Sequence, residues 1–108
     1  MLDVDHFKRI NDRYGHTVGD TVLIAMTRRI SARLRDTDSI VRWGGEEFAV
    51  VTPCTTISGA EVLAEAMRRV VADEPFEIAG RVTISLGVAQ LSPTESATQW
   101  VSRADQVL

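Results

Sequence analysis

The stretch from Ile40 to Val51 constrains the fold more than any other part of this chain. Ile40, Val41 and Trp43 come before a Gly44-Gly45 pair, and Phe48, Ala49, Val50 and Val51 come after it. Apolar, β-prone runs flanking a dipeptide that tolerates positive φ predict a tight hairpin with a two-residue turn. Glu46 and Glu47 follow the turn directly. Adjacent like charges gain nothing structurally at a hairpin tip, and strand alternation sends them to opposite faces. One carboxylate at a rigid turn can hold a hard divalent cation, and bare glycines let a phosphate approach the backbone. A solvated hairpin tip is the plainer explanation of this stretch taken alone.

Other segments supply matching chemistry. Met1-Leu2-Asp3-Val4-Asp5 reads as the C-terminal end of a strand whose earlier part lies outside the sequence. Asp3 and Asp5, spaced i and i+2, point to one side of an extended chain. Two carboxylates there suit Mg²⁺, which takes oxygen ligands and retains waters and substrate oxygens. Asp5 could instead simply cap the next turn. Phe7, Ile10 and Tyr14 recur at helical spacing and predict a short helix ended by Gly15. On it, Lys8 could neutralise a phosphate, and Asn11 offers both donor and acceptor to a base edge. Each of these two is also explained as solvated surface.

Val18, Val22, Leu23, Met26, Ile30 and Leu34 form one stripe of a longer helix, with Thr17 as its expected N-cap. Asp20 then falls in the first turn, where the helix dipole favours a carboxylate. Its functional reading is an acceptor for the two adjacent donors on guanine's Watson–Crick edge. Arg35-Asp36-Thr37-Asp38 links this helix to the hairpin. Ser58-x-x-Glu61 predicts a capping box for a helix whose stripe is Val62, Leu63, Ala66, Met67 and Val70. Residues 81–90 alternate as a strand, and Ser96-x-x-Gln99 caps a last helix through Trp100, Val101, Ala104, Val107 and Leu108. The order β-α-β-β-α-β plus a helix implies an α+β fold. Its core is an antiparallel sheet with helices packed on one face, palm-like or ferredoxin-like.

Size and charge narrow the function classes. A chain of 108 residues is one domain with a single core. A net charge of −3 gives no basic footprint for nucleic acid or an anionic membrane. An RNA-binding sheet of the same strand order would need a basic face and stacking aromatics. Two Trp, one Tyr and three Phe on a negative chain do not provide them. The lone Cys54 rules out an internal disulfide and fits a reducing compartment. No signal peptide and no apolar run of about 20 residues is present, so a cytoplasmic location is expected.

Taken together, Asp3-Val4-Asp5-His6-Phe7-Lys8-Arg9-Ile10-Asn11-Asp12, Tyr14-Gly15-His16, Gly19-Asp20 and Arg42-Trp43-Gly44-Gly45-Glu46-Glu47-Phe48 resemble a GGDEF domain. That domain is the catalytic module of diguanylate cyclases, here in the Gly-Gly-Glu-Glu-Phe variant. The resemblance implies a palm-like fold related to nucleotide cyclase domains. It also implies condensation of two GTP into cyclic di-GMP, with release of pyrophosphate.

By that resemblance Asp3, the Val4 carbonyl and Glu46 would hold Mg²⁺, with Mn²⁺ able to replace it. Lys8 would face the phosphates, Asn11 and Asp20 would read guanine, and His16 would lie beside the nucleotide. Gly44 and Gly45 would border the substrate. Glu46 would activate the 3′-hydroxyl, either through the metal or as proton acceptor. Arg35 and Asp38 match the Arg-x-x-Asp pattern of an inhibitory product site. Each half-reaction uses one GTP, so the resemblance implies a homodimer, usually governed by an N-terminal sensory or receiver domain. Relative to the family pattern, 1–108 would be a single domain lacking an N-terminal helix, the start of the first strand and the C-terminal end. The alternative is a GGDEF domain without turnover that binds cyclic di-GMP or GTP as a regulatory module.

Overall fold

In the computed structural model, which describes residues 1–108, four strands and four helices follow one another. They are β1 (Leu2–Val4), α1 (Phe7–Tyr14), α2 (His16–Ser31), β2 (Ser39–Arg42), β3 (Glu47–Val51), α3 (Ile57–Ala72), β4 (Ile84–Leu86) and α4 (Ala97–Gln106). The strands form one sheet in the order β2-β3-β1-β4, with every neighbouring pair antiparallel. Each crossover, through α1–α2 or through α3, passes over one strand, which places β1 inside the sheet. This is the α+β architecture that the element order predicts.

Alternation gives the sheet two unlike faces. Leu2, Val4, Phe48 and Ile84 are buried against Val22, Met26 and Ile30 of α2 and Met67 and Val71 of α3. Met26 and Ile30 are fully buried, and truncating Ile30 to Ala would cost about 2–5 kcal/mol. On the opposite face, Asp3 stands in register with Glu47 on one side and Ser85 on the other. The strand thus carries its apolar residues to the core and its carboxylate to the other face.

Several boundaries differ from the sequence expectation. The long helix begins at His16 after Gly15, so Thr17 is inside it and gives no cap. The Thr21 hydroxyl donates to the Thr17 carbonyl, and Asp20 falls beyond the first turn. Leu34 lies past the end of α2 but still packs on the core. α3 is capped by Thr56, whose hydroxyl accepts from the Gly59 N–H at 3.1 Å, so Ser58 forms no box. Its buried face is Ala64, Met67 and Val71, with Leu63 and Val70 at the margin, and Val62 is 71% exposed. β4 is short because it pairs with β1 alone and its ladder cannot outrun that partner. Val82 and Val88 still pack on the core. The Ser96–Gln99 capping box forms as expected.

α4 lies close against the sheet. A Cβ at Gly87 would collide with the carbonyl oxygen of Ala104, so only glycine admits the helix there. The Trp100 indole donates to the Ala89 carbonyl at 2.7 Å and fixes the helix along the same segment.

Candidate active site

The site is built where β1 ends beside the hairpin turn. Between β2 and β3, Trp43–Glu46 reverse the chain. The Glu47 carbonyl accepts from both Trp43 N–H (2.8 Å) and Gly44 N–H (3.1 Å). The turn is therefore wider than the two-residue form, and neither Gly44 nor Gly45 adopts a positive φ. Glu46 sits in the turn rather than on the strand, so alternation is not what separates it from Glu47. The Glu47 carboxylate folds back over Gly44, whereas a side chain at Gly45 would meet nothing within 4 Å. Arg42 braces the turn, donating from Nε to the Gly44 carbonyl (3.2 Å) and from Nη2 to the Gly45 carbonyl (2.8 Å). Sequence reasoning gave Arg42 no role, and its place just before the turn was the available signal.

Asp3, Val4, Lys8 and Glu46 line one open cleft of about 310 Å³, together with Asp5, His6, Phe7, Ser85 and Leu108. The Val4 N–H donates to the Glu46 carbonyl at 3.2 Å, tying the strand end to the turn. The Asp3 carboxyl is held above the usual carboxylate range, first by burial and then by the negative charges of Glu46, Glu47, Asp5 and Asp105. None of the chain's five ion pairs involves Asp3, Glu46 or Glu47. Lys8 reaches away to Asp12 at 3.1 Å and is 89% exposed. The strand end thus carries a concentration of negative charge that no ion pair within the chain offsets.

Asp3 and Asp5, expected to act as a pair, have different surroundings. Asp5 accepts from the Thr83 hydroxyl (2.7 Å) on one carboxylate oxygen and from the Ser85 hydroxyl (2.6 Å) on the other. No group of three His, Cys, Asp or Glu side chains converges as a ready metal cage. Two carboxylates and one main-chain carbonyl still fit Mg²⁺, which completes its octahedron with water and phosphate oxygens. The strained Asp3 ionisation is the observation that favours a cation there.

Asn11, His16 and Asp20, the expected nucleotide contacts, lie on α1 and α2 and are not among the residues lining this cleft. α1 and α2 pack so closely that a Cβ on Gly19 would strike the Asn11 side-chain oxygen. Asn11 is thereby brought beside Gly19–Asp20. His16 and Asp20 are exposed at the start of α2. Arg35 and Asp38 lie apart from the cleft and bind each other, with Nη2 to Oδ1 at 2.9 Å and Nε to Oδ2 at 3.3 Å. Arg35 also donates to the Pro53 carbonyl and the Thr55 hydroxyl. The Asp38 carboxyl is correspondingly held below its usual range by the hydrogen bond from Arg35.

A second cavity, of about 100 Å³, lies among Ala49–Thr52, Leu86–Ala89, Trp100, Val101 and Ala104. Fifteen of its 17 lining residues are hydrophobic, so it offers no groups to bind a phosphate. No helix of the chain is long and apolar enough to cross a membrane.

Comparison with known proteins agrees with this fold. The family described as diguanylate cyclase, GGDEF domain, matches residues 1–108. Diguanylate cyclase DgcP of Pseudomonas aeruginosa is 41% identical over 111 residues, covering 100% of this chain and 16% of that protein. Diguanylate cyclase DgcM of Escherichia coli is 42% identical over 108 residues, again covering 100% of this chain and 26% of that protein. The chain therefore spans a minor part of these relatives' length. Among solved structures, the GGDEF domain of DgcB from Caulobacter crescentus in complex with cyclic di-GMP superposes with a TM-score of 0.91 at 34% identity. That match covers 97% of this chain and 65% of the other. Diguanylate cyclase SiaD of Pseudomonas aeruginosa, solved with its activator SiaC, gives 0.92 at 38% identity over 98% of this chain and 42% of the other. With residues 1–108 matched by the family and the fold superposing on solved GGDEF domains, the chain belongs to the GGDEF domain family.

Proposed function

We propose that this domain condenses two GTP molecules into cyclic di-GMP, and that Asp3, the Val4 carbonyl and Glu46 hold the Mg²⁺ the reaction needs. The observation that carries the reading is the uncompensated carboxylate pair at the β1 end and hairpin turn, in a chain whose relatives are named diguanylate cyclases. Bound there, Mg²⁺ or Mn²⁺ would offset charge developing on the α-phosphate. Glu46 would draw the proton from the attacking 3′-hydroxyl, which needs a base beside the reacting phosphate. Lys8 has a long, exposed side chain on the cleft wall and would swing from Asp12 to the triphosphate. The open backbone at Gly45 leaves room for the same phosphates.

Asn11 and Asp20 would select guanine. A carboxylate pairing with guanine's N1–H and amino group would find only an acceptor at N1 of adenine. An unpaired polar group in a closed site costs about 1–3 kcal/mol. Asp20→Ser should therefore narrow the preference for GTP over ATP by about tenfold or more, measured as the ratio of kcat/KM values. An unchanged ratio removes Asp20 from the guanine site.

Ring closure needs a second GTP held opposite the first, so the working form is a homodimer. Arg35 and Asp38 would bind product as an inhibitory site once their mutual ion pair opens. An N-terminal sensory or receiver domain in a longer protein would control dimerisation, and the reaction would be cytoplasmic. The deciding experiment is product formation from GTP and Mg²⁺ at high protein concentration, with Glu46→Gln as control. Cyclic di-GMP from the parent and none from the control supports a cyclase. Tight binding of cyclic di-GMP or GTP without turnover would instead establish a regulatory binding module.

A further inference from the structure

Asp5 has no part in the site as so far described, yet it is among the most firmly held side chains around the cleft. Both its carboxylate oxygens are taken by hydroxyls of the neighbouring strand segment, Thr83 at 2.7 Å and Ser85 at 2.6 Å. Its main-chain N–H donates to the Thr83 carbonyl at 3.0 Å. These short hydrogen bonds fix the orientation of the Asp5 carboxylate on the neighbouring strand segment.

The peptide unit between Val4 and Asp5 explains what this clamp can do. It is planar and trans, so its C=O and N–H point in opposite directions. The N–H is fixed on Thr83, on the β4 side of the strand. The Val4 carbonyl must therefore point to the β3 side, the same edge from which Val4 N–H reaches the Glu46 carbonyl. Rotation of that one peptide would swing the carbonyl away from the Glu46 turn.

The local backbone makes rotation a real hazard. The chain leaves β1 through His6, a non-glycine residue at φ 55° and ψ 33°. A left-handed residue of this kind costs roughly 1–2 kcal/mol, and no side chain caps the helix that begins there. A strained, uncapped turn residue two positions after a ligand carbonyl needs an external anchor, and Asp5 provides three bonds to one.

We propose that Asp5 is a positioning residue: clamped by Thr83 and Ser85, it aims the Val4 carbonyl at the cation held by Asp3 and Glu46. The proposal rests on the metal-site reading above. It assigns Thr83 and Ser85, which no motif singled out, to the support of that site. Asparagine at position 5 keeps one acceptor oxygen but turns an amide toward the other hydroxyl, so it should weaken the clamp without emptying it.

The test is Mn²⁺ affinity of the 108-residue chain, by calorimetric titration in the presence of a non-hydrolysable GTP analogue. Thermal unfolding is read on the same samples. Loss of outer partners that orient a ligand typically costs 10–100-fold in metal affinity. The double variant Thr83→Val/Ser85→Ala should lose at least about tenfold, Asp5→Asn less, and Thr83→Ser, which keeps the hydroxyl, should stay within about twofold of the parent. Parental affinity in the folded double variant, with only the melting temperature lowered, would make the clamp merely structural and overturn the proposal. Glu46→Gln separates the two levels. If the parent binds Mn²⁺ and Glu46→Gln does not, a null result in the clamp variants counts against Asp5 alone. If the parent binds no Mn²⁺, the metal-site reading fails and the proposal fails with it.

Discussion

Two carboxylates in this molecule are treated in opposite ways. Asp3, at the end of β1, has its ionisation opposed by burial and by Glu46 and Glu47. Glu95, ahead of α4, accepts two hydrogen bonds from Arg103 (2.9 and 2.5 Å) and one from the Ser92 N–H (2.8 Å). The Arg103 hydrogen bonds, chiefly, lower the Glu95 carboxyl to about 2. One carboxylate is provided with everything a charge needs from its own chain, and the other is left wanting. The first arrangement fastens a loop to a helix. The second opposes its own ionisation, and on the proposed reading a cation from outside would relieve it.

That contrast can be broken experimentally. The largest effect is expected at the turn. Glu46→Gln should lower cyclic di-GMP formation by about a thousandfold, since charge stabilisation through a metal is worth several kcal/mol. The same variant should melt no lower than the parent, because it removes a like charge from beside Asp3. A fall in melting temperature would mean that Glu46 is structural.

Adding Mg²⁺ should come next in size. At tenfold over its dissociation constant a ligand stabilises by about 1.4 kcal/mol, which raises the melting temperature of a domain this size by several degrees. Asp3→Asn should abolish that rise while itself stabilising the metal-free chain.

The pH dependence sharpens the comparison further, because the two groups act with opposite sign. Asp3 is raised in the folded state, so folded chains bind its proton more tightly than unfolded ones. Stability should increase as pH falls from neutrality through its raised pKa, then level off below its unfolded value near 4. Glu95 is lowered, so its contribution is complete above its unfolded pKa of 4.5 and is lost as pH falls toward about 2. Asp3→Asn should flatten the first limb and Glu95→Gln the second, both read from melting temperature against pH. The smallest effect expected on turnover is that of Glu95→Gln, which should leave cyclic di-GMP formation unchanged within about twofold, as for surface substitutions away from a site.

Much of this was legible in the sequence because it depends on neighbours in the chain. The hairpin, the short helix before Gly15, the Ser96–Gln99 box and the alternation of Leu2, Asp3 and Val4 are local patterns. Caps were harder to place, since Thr56 and Ser58 both suit an N-cap and the geometry of the preceding loop chose Thr56. The turn was misjudged because Gly-Gly permits a two-residue reversal without requiring one. Asp5 was paired with Asp3 on spacing alone, and nothing local could have shown that hydroxyls at 83 and 85 would claim it.

The separation of those partners has a consequence for how the protein comes into being. The bonds that hold Asp5 close loops of 78 and 80 residues, and β1 is flanked by β3 and β4 rather than by its successor in the chain. Contacts so distant must wait for loop-closure entropy to be overcome, and they form late relative to helices and hairpins. On the ribosome, a nascent chain carries Asp3 and Glu46 long before Thr83 emerges. On the proposed reading, the Val4 carbonyl would therefore lack its support until β4 docks, and cation binding at the strand end would report that folding is complete.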